Sequence, residues 1–222
     1  MKQHLPASES RSPDPGLAIL LRTHTRGLHT RAERSGIVAK ILRGEAHRLA
    51  YALLLRNLLP VYRELETGLQ RNRRCEGVRR VLEPALFRSV ALESDVQAIS
   101  GPSWADKLPL LTEGEAYARR VAASAERGGG GLIAHAYVRY LGDLNGGRVL
   151  QGLLSRHLGL DDSELSFYRF DGIADPASFS LGYRQALDQA GAELRNHAAI
   201  AQEAATAFRL NIALSEAVAE YA

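Results

Sequence analysis

From Leu17 to the end of the chain, apolar residues recur at spacings of three and four, and no segment sustains the alternation that a half-buried strand needs. That periodicity commits the chain to helices packed on helices. Leu17, Leu21, His24 and Leu28 form one stripe, and a second helical stretch runs from about Glu45 to Leu69. Thr112 followed by Glu115 reads as a capping box, and Asp175 before Pro176 puts an N-cap acid ahead of a proline at the first helical position. The stretch from Glu193 to Tyr221 is Ala-rich and lacks Gly and Pro, which predicts one long terminal helix. Gly128 to Gly131 reads as a turn between two helices. The expected architecture is therefore all-α and single-domain over residues 17–222. Residues 1–16 carry Ser8, Ser10, Ser12, Pro13 and Pro15 without apolar periodicity and read as a flexible tail.

Composition removes several function classes. A chain of 222 residues can bury a core without metal or disulfide support. Its one cysteine, Cys75, rules out an intramolecular disulfide and any Cys-based zinc or iron–sulfur site within one chain. Flanked by Arg73, Arg74 and Glu76, Cys75 reads as an inert residue of a surface loop, and a cytoplasmic location is expected. The apolar run Leu17 to Leu21 is far shorter than the roughly 20 residues of a membrane span, so no membrane partner is expected. Basic residues exceed acidic ones by only three, 28 against 25, and arginines alternate with acids. No nucleic-acid-binding signature accompanies them, so nucleic acid is not an expected partner.

Two segments carry chemistry. The first is His135-Ala-Tyr-Val-Arg-Tyr-Leu-Gly-Asp-Leu-Asn-Gly-Gly-Arg148, where Gly142, Gly146 and Gly147 interrupt a helical pattern at about 1 kcal/mol each relative to Ala. Gly146 could simply end one helix, or the missing Cβ atoms could let backbone lie against a flat ligand. Arg139 and Asp143, at i and i+4, share a face, as any surface ion pair would. The second segment is Arg22-Thr-His-Thr-Arg-Gly-Leu-His-Thr-Arg-Ala-Glu33. His29 and Glu33 have the spacing at which a carboxylate holds one imidazole nitrogen while the other binds a metal. His29 falls about 140° from the Leu17/Leu21/Leu28 stripe and so faces off the core, whereas His24 lies on that stripe.

Together these segments resemble heme oxygenase. Its distal-helix signature reads closely as Arg139-Tyr-Leu-Gly-Asp-Leu-Asn-Gly-Gly147, and its proximal pattern as Leu28-His29-Thr30 with Glu33. Supporting matches occur at Tyr62 to Glu66, Tyr183-Arg184 and Ala207 to Ile212, in order and at similar spacing. The resemblance implies a multi-helix fold with heme between a proximal helix and a Gly-kinked distal helix.

It further implies His29 as proximal iron ligand with Glu33 behind it, and Gly142 and Gly146 as the backbone against the opposite face of heme. Asp143 would order water near dioxygen, supported by Arg139, Tyr62 and Asn211. Arg22, Arg26 and Arg184 would take the propionates, with Tyr137 adding a hydroxyl, and Phe208 would be an apolar wall. The implied reaction is oxidative cleavage of heme, at once cofactor and substrate, to biliverdin, CO and Fe2+ with O2. Electrons would come from an external donor, a ferredoxin or a flavoprotein reductase, since no flavin or nicotinamide fingerprint is visible. A biliverdin acceptor such as a bacteriophytochrome is a further implied partner.

Three positions depart from the commonest pattern. Asn145 stands for a serine, Arg148 for a glutamine, and Ser180 for a basic residue one turn before Arg184. The last bears on the expected α-meso regioselectivity. The competing reading is a non-catalytic heme carrier on the same fold, against which Asp143 argues, because a carrier needs no carboxylate to order distal water. A di-iron bundle would need paired inward Glu-x-x-His motifs, and none is present.

Overall fold

The computed structural model describes residues 16–222, and within them every regular element is helical. The tail reading of residues 1–16 falls, apart from Gly16, outside the described residues. Ten α-helices follow in order: α1 (Leu17–Arg34), α2 (Gly36–Arg43), α3 (Arg48–Arg71), α4 (Val78–Val81), α5 (Ser89–Ser100), α6 (Trp104–Lys107), α7 (Thr112–Glu126), α8 (Gly130–Leu158), α9 (Pro176–Glu193) and α10 (His197–Ala219). Helix α3 packs on α5 and α7, and α10 packs on α1, α2 and α8. Helices α1 and α8 are bridged by α9 and α10 rather than packed along one another. The fully buried Tyr51, Leu55, Leu59, Tyr62, Leu65 and Leu69 run down one side of α3 and put that helix at the centre of a single core.

Several sequence expectations hold. Asp175 caps α9 by accepting from the Ala177 and Ser178 amides, with Pro176 in the first turn. The glycine turn separates α7 from α8, with Gly128 and Gly129 at positive φ.

Others are corrected. The terminal stretch is not one helix. It breaks at Leu194 to Asn196, because the Leu194 side chain packs into the space beside Gly77 while Glu193 takes the Gly77 amide and the Arg79 and Arg80 guanidiniums. Asn196 then restarts the chain as α10 by accepting from the Ala199 amide. The Thr112/Glu115 capping box does not form. Instead Asn57 of α3 accepts from the Leu111 amide at 2.7 Å, and Glu115 pairs with Arg119. The stretch expected from Glu45 starts at Arg48, with His47 as the capping residue and Glu45 held by Arg43. His24 is exposed. The core member of the α1 stripe is Thr25, whose hydroxyl is satisfied by the Leu21 carbonyl. Cys75 is half-buried and donates towards Asn72 rather than lying on an open loop.

Candidate active site

The glycine segment does not end a helix, since α8 runs unbroken through Gly142, Gly146 and Gly147. A side chain at Gly142 or Gly146 would meet nothing within 4 Å, so the absent Cβ atoms leave that face open rather than serve helix packing. Gly147 faces the other way, where a Cβ would come 2.9 Å from the Tyr168 ring. Gly142, Asn145, Gly146 and Val149 form an i, i+3, i+4, i+7 stripe on which only Gly146 is partly covered. It lies on a helix whose residues from Leu132 to Leu144 are otherwise nearly all buried. This stripe is the exposed face of α8. Asn145 and Val149 were not singled out as lining residues from sequence, although their spacing from the two glycines carries the signal.

Behind the open face lies a buried polar constellation. Arg139 is 8% exposed and reaches three helices: its Nε donates to the Tyr62 hydroxyl (2.9 Å), one Nη to Asn211 Oδ1 (2.6 Å) and the other to Asp143 Oδ1 (3.2 Å). The Tyr62 hydroxyl in turn donates to Asp143 Oδ2. All four residues predicted for the distal network are therefore assembled, and Arg139–Asp143 is a buried pair rather than a surface one. Burial raises the Asp143 carboxyl above its ordinary range, against the pull of Arg139, Tyr62 and Arg88. Burial also lifts the Tyr62 phenol well above the ordinary phenol. The Arg139 guanidinium is held charged, because Tyr62, Asp143 and Tyr117 outweigh the cost of its burial.

Sequence reasoning missed what stands behind Arg139. Fully buried His135 meets Glu203 at 3.0 Å, and Glu203 also receives Arg120 and Ser124. Tyr117 packs 5.8 Å from the His135 ring, and burial pushes its phenol to about 12. His135 and Glu203 are 68 residues apart, so no local pattern reveals the pair.

On α1, His29 faces off the core as expected. Its side chain is 58% exposed, and Nδ1 lies 3.7 Å from Glu33, which leaves Nε2 free to face outward. The ring meets buried Phe208 of α10 edge-on at 5.9 Å. Phe208 and Asn211 are one turn apart on α10, so a single stretch of that helix touches His29 on one side and Arg139 on the other. Half-buried Tyr137 crosses from α8 towards α1. Burial raises its phenol, against the pull of Thr25, Arg184 and Arg22. Arg26 is exposed on α1, one turn beyond Arg22.

The donor set fits a heme. His29 offers one outward imidazole, the single protein donor that an iron already held by a macrocycle would need. The open glycine face suits the flat side of such a ring, and the Arg22/Arg184/Tyr137 group suits its carboxylates.

Comparison with known proteins agrees. The family model described as heme oxygenase matches residues 15–217. Heme oxygenase 1 of Nostoc is 34% identical over 88% of this chain and 83% of its own length. The heme oxygenase of Takifugu rubripes is 35% identical over 86% and 70%. The solved structure of Synechocystis heme oxygenase-1 in complex with heme superposes with a TM-score of 0.88 at 31% identity, covering 93% of this chain and 94% of that one. The Leptospira interrogans heme oxygenase superposes with a TM-score of 0.86, also at 31% identity, over 91% and 100%.

Proposed function

The chain belongs to the heme oxygenase family, and from that premise we propose how its own residues hold heme and steer its opening. The activity is oxidative cleavage of heme to biliverdin, CO and Fe2+. Heme brings the iron, the oxygen chemistry and the ring that is opened. His29 would hold the iron through Nε2, with the Glu33 carboxylate 3.7 Å from Nδ1 to orient the imidazole. Arg22, Arg26 and Arg184 would receive the propionates together with Tyr137 and so orient the ring in a slot between α1 and α8. Gly142 and Gly146 let the α8 backbone close over the ring, and Phe208 walls it beside His29.

Asp143 holds water over the ring. Its two oxygens are fixed from one side by Arg139 and from the other by the Tyr62 hydroxyl, and Asn211 prevents Arg139 from swinging away. A carboxylate so held can present an ordered water as a hydrogen-bond donor and pass on a single proton, without itself touching the metal. The observation that carries the reading is this four-residue constellation, buried beside an open glycine face. O2 is the oxidant. The electrons come from a ferredoxin or a flavoprotein reductase, and the biliverdin passes to an acceptor such as a bacteriophytochrome. No helix among the described residues is long and apolar enough to cross a membrane, and a cytoplasmic enzyme fits that. The α-meso edge is the one expected at the oxidised position.

Hemin titration followed by aerobic reduction of the same sample with ferredoxin and its reductase tests the reading. A one-to-one Soret complex that bleaches into biliverdin is expected. A Soret complex stable under reduction would instead identify a heme carrier, and Asp143→Ala should behave that way, binding hemin while losing most of its biliverdin.

A further inference from the structure

Asn145 and Ser180, two of the positions at which the chain departs from the family's commonest pattern, are hydrogen-bonded to each other. Ser180 is only 1% exposed, and its hydroxyl donates to Asn145 Oδ1 at 3.1 Å, its one side-chain hydrogen bond among the described residues. Asn145 Nδ2 donates to the Leu141 carbonyl one turn back at 2.7 Å. The carboxamide is thus parked at both ends. It lies on the slot-facing stripe, between Gly142 and Gly146, at the one place where α8 offers the slot a polar side chain instead of bare backbone. On α9 the roles divide: Ser180 turns inward to Asn145, and exposed Arg184, one turn later, is left as the cation.

We propose that the Ser180–Asn145 pair, which ties α9 to α8, is a positioning device that fixes one lateral limit of the slot between α1 and α8, and so sets how far a bound ring can slide along it. The proposal rests on the active-site reading above. A buried hydroxyl whose acceptor is displaced loses its only partner, so the geometry favours a fixed amide over a mobile one. Neither residue touches the constellation around Arg139. Loosening the pair therefore shifts which ring edge is met and leaves the water held by Asp143 in place.

The first test needs no heme. In the uniformly 15N-labelled, heme-free chain, the Asn145 side-chain amide signals are assigned by their loss in Asn145→Ala. Their exchange with water should be about fivefold slower in the parent than in Ser180→Ala, the equivalent of one ordinary hydrogen bond. The second test reads the biliverdin isomers released from hemin-loaded protein. Ser180→Ala and Asn145→Ala should both raise the minor isomers in the same direction, and the double variant should go no further than either. Arg184→Ala should release hemin to apomyoglobin faster than the parent while keeping the parent's slow amide exchange at Asn145. Equal amide exchange in parent and Ser180→Ala overturns the latch. Unchanged isomer ratios in both single variants overturn its role in seating the ring. A parent that takes up no hemin overturns the active-site reading, and the amide result then reports on the latch alone.

Discussion

Tyr62→Phe removes one atom from the most connected point of the site. The Tyr62 ring is fully buried, edge-on to Phe167 at 5.6 Å and tilted against Tyr140 at 6.4 Å, and a Phe keeps both. What goes is an oxygen that accepts from Arg139 Nε and donates to Asp143 Oδ2. Each is a bond to a charged group, worth about 1.5–3 kcal/mol. The two are not additive, because Arg139 and Asp143 keep their direct contact at 3.2 Å, so a joint loss of about 3 kcal/mol is expected. For a chain of this size that lowers Tm by roughly 6–12 °C. Thermal and urea unfolding of the heme-free protein measure it, with the urea slope m unchanged. If roughly half of that energy serves to hold Asp143 in place, biliverdin formation falls about tenfold while hemin stoichiometry stays at one. A Tm within 2 °C of the parent would refute the reasoning, because it would mean that the hydroxyl is not shared between the two charges.

Gly142→Ala and Gly146→Ala should leave Tm unchanged or raise it, by up to about 1 kcal/mol of helix propensity each, yet weaken hemin binding in a Soret titration, because the new Cβ fills only the open face. Gly147→Ala should lower Tm, since its Cβ meets the Tyr168 ring at 2.9 Å. Burial raises the Glu203 carboxyl, but the stronger combined pull of His135 and Arg120 lowers it to about 2. A folded value depressed below the ordinary 4.5 stabilises the protein fully above that pH, and the contribution is lost as pH falls from about 4.5 to about 2. Glu203→Gln should therefore be less stable at neutral pH and flatten the acid limb of a Tm-against-pH curve; an acid limb of parental steepness would count against the assignment. His29→Ala should lose the parent Soret position and recover it on adding imidazole, whereas recovery without imidazole would remove His29 as the axial ligand.

What could be read from sequence was whatever lies within about one helical turn. The Arg139/Asp143 and His29/Glu33 spacings, the Asp175-Pro176 cap and the helical periodicity are all local, and all stand in the structure. The failures are equally physical. Ala-rich composition favours helix through residues 194–196, but Glu193 gains three donors and Leu194 a packing place beside Gly77 by leaving it. Thr112 is a good capping residue by type, but the helix starts one residue too early for it, with Leu111 at the cap position, its amide held by Asn57 and its carbonyl by the Glu115 amide. Resemblance, not spacing, assigned Tyr62 and Asn211 to the site, since they lie 77 and 72 residues from Arg139.

The distance between the two faces of the slot depends on α10, which braces both. His29 lies on α1 and Asp143 on α8, and those helices are joined through others. On α10, Phe208, Asn211 and Ser215 are spaced i, i+3, i+7 and form one stripe. Phe208 meets the His29 ring, Asn211 holds Arg139, and the Ser215 hydroxyl takes the Val38 amide and reaches the Ser35 carbonyl at the bend between α1 and α2. The bend needs Gly36, whose φ of +59° few other residues adopt. Slot width is thus set by the register of α10 against both walls. A one-residue insertion between Phe208 and Asn211 would turn one contact by about 100° and shift it by about 1.5 Å relative to the other, so it should abolish hemin binding even though α1, α8 and their signature residues are untouched. Hemin binding retained in that variant would mean that α1 and α8 find their spacing without α10.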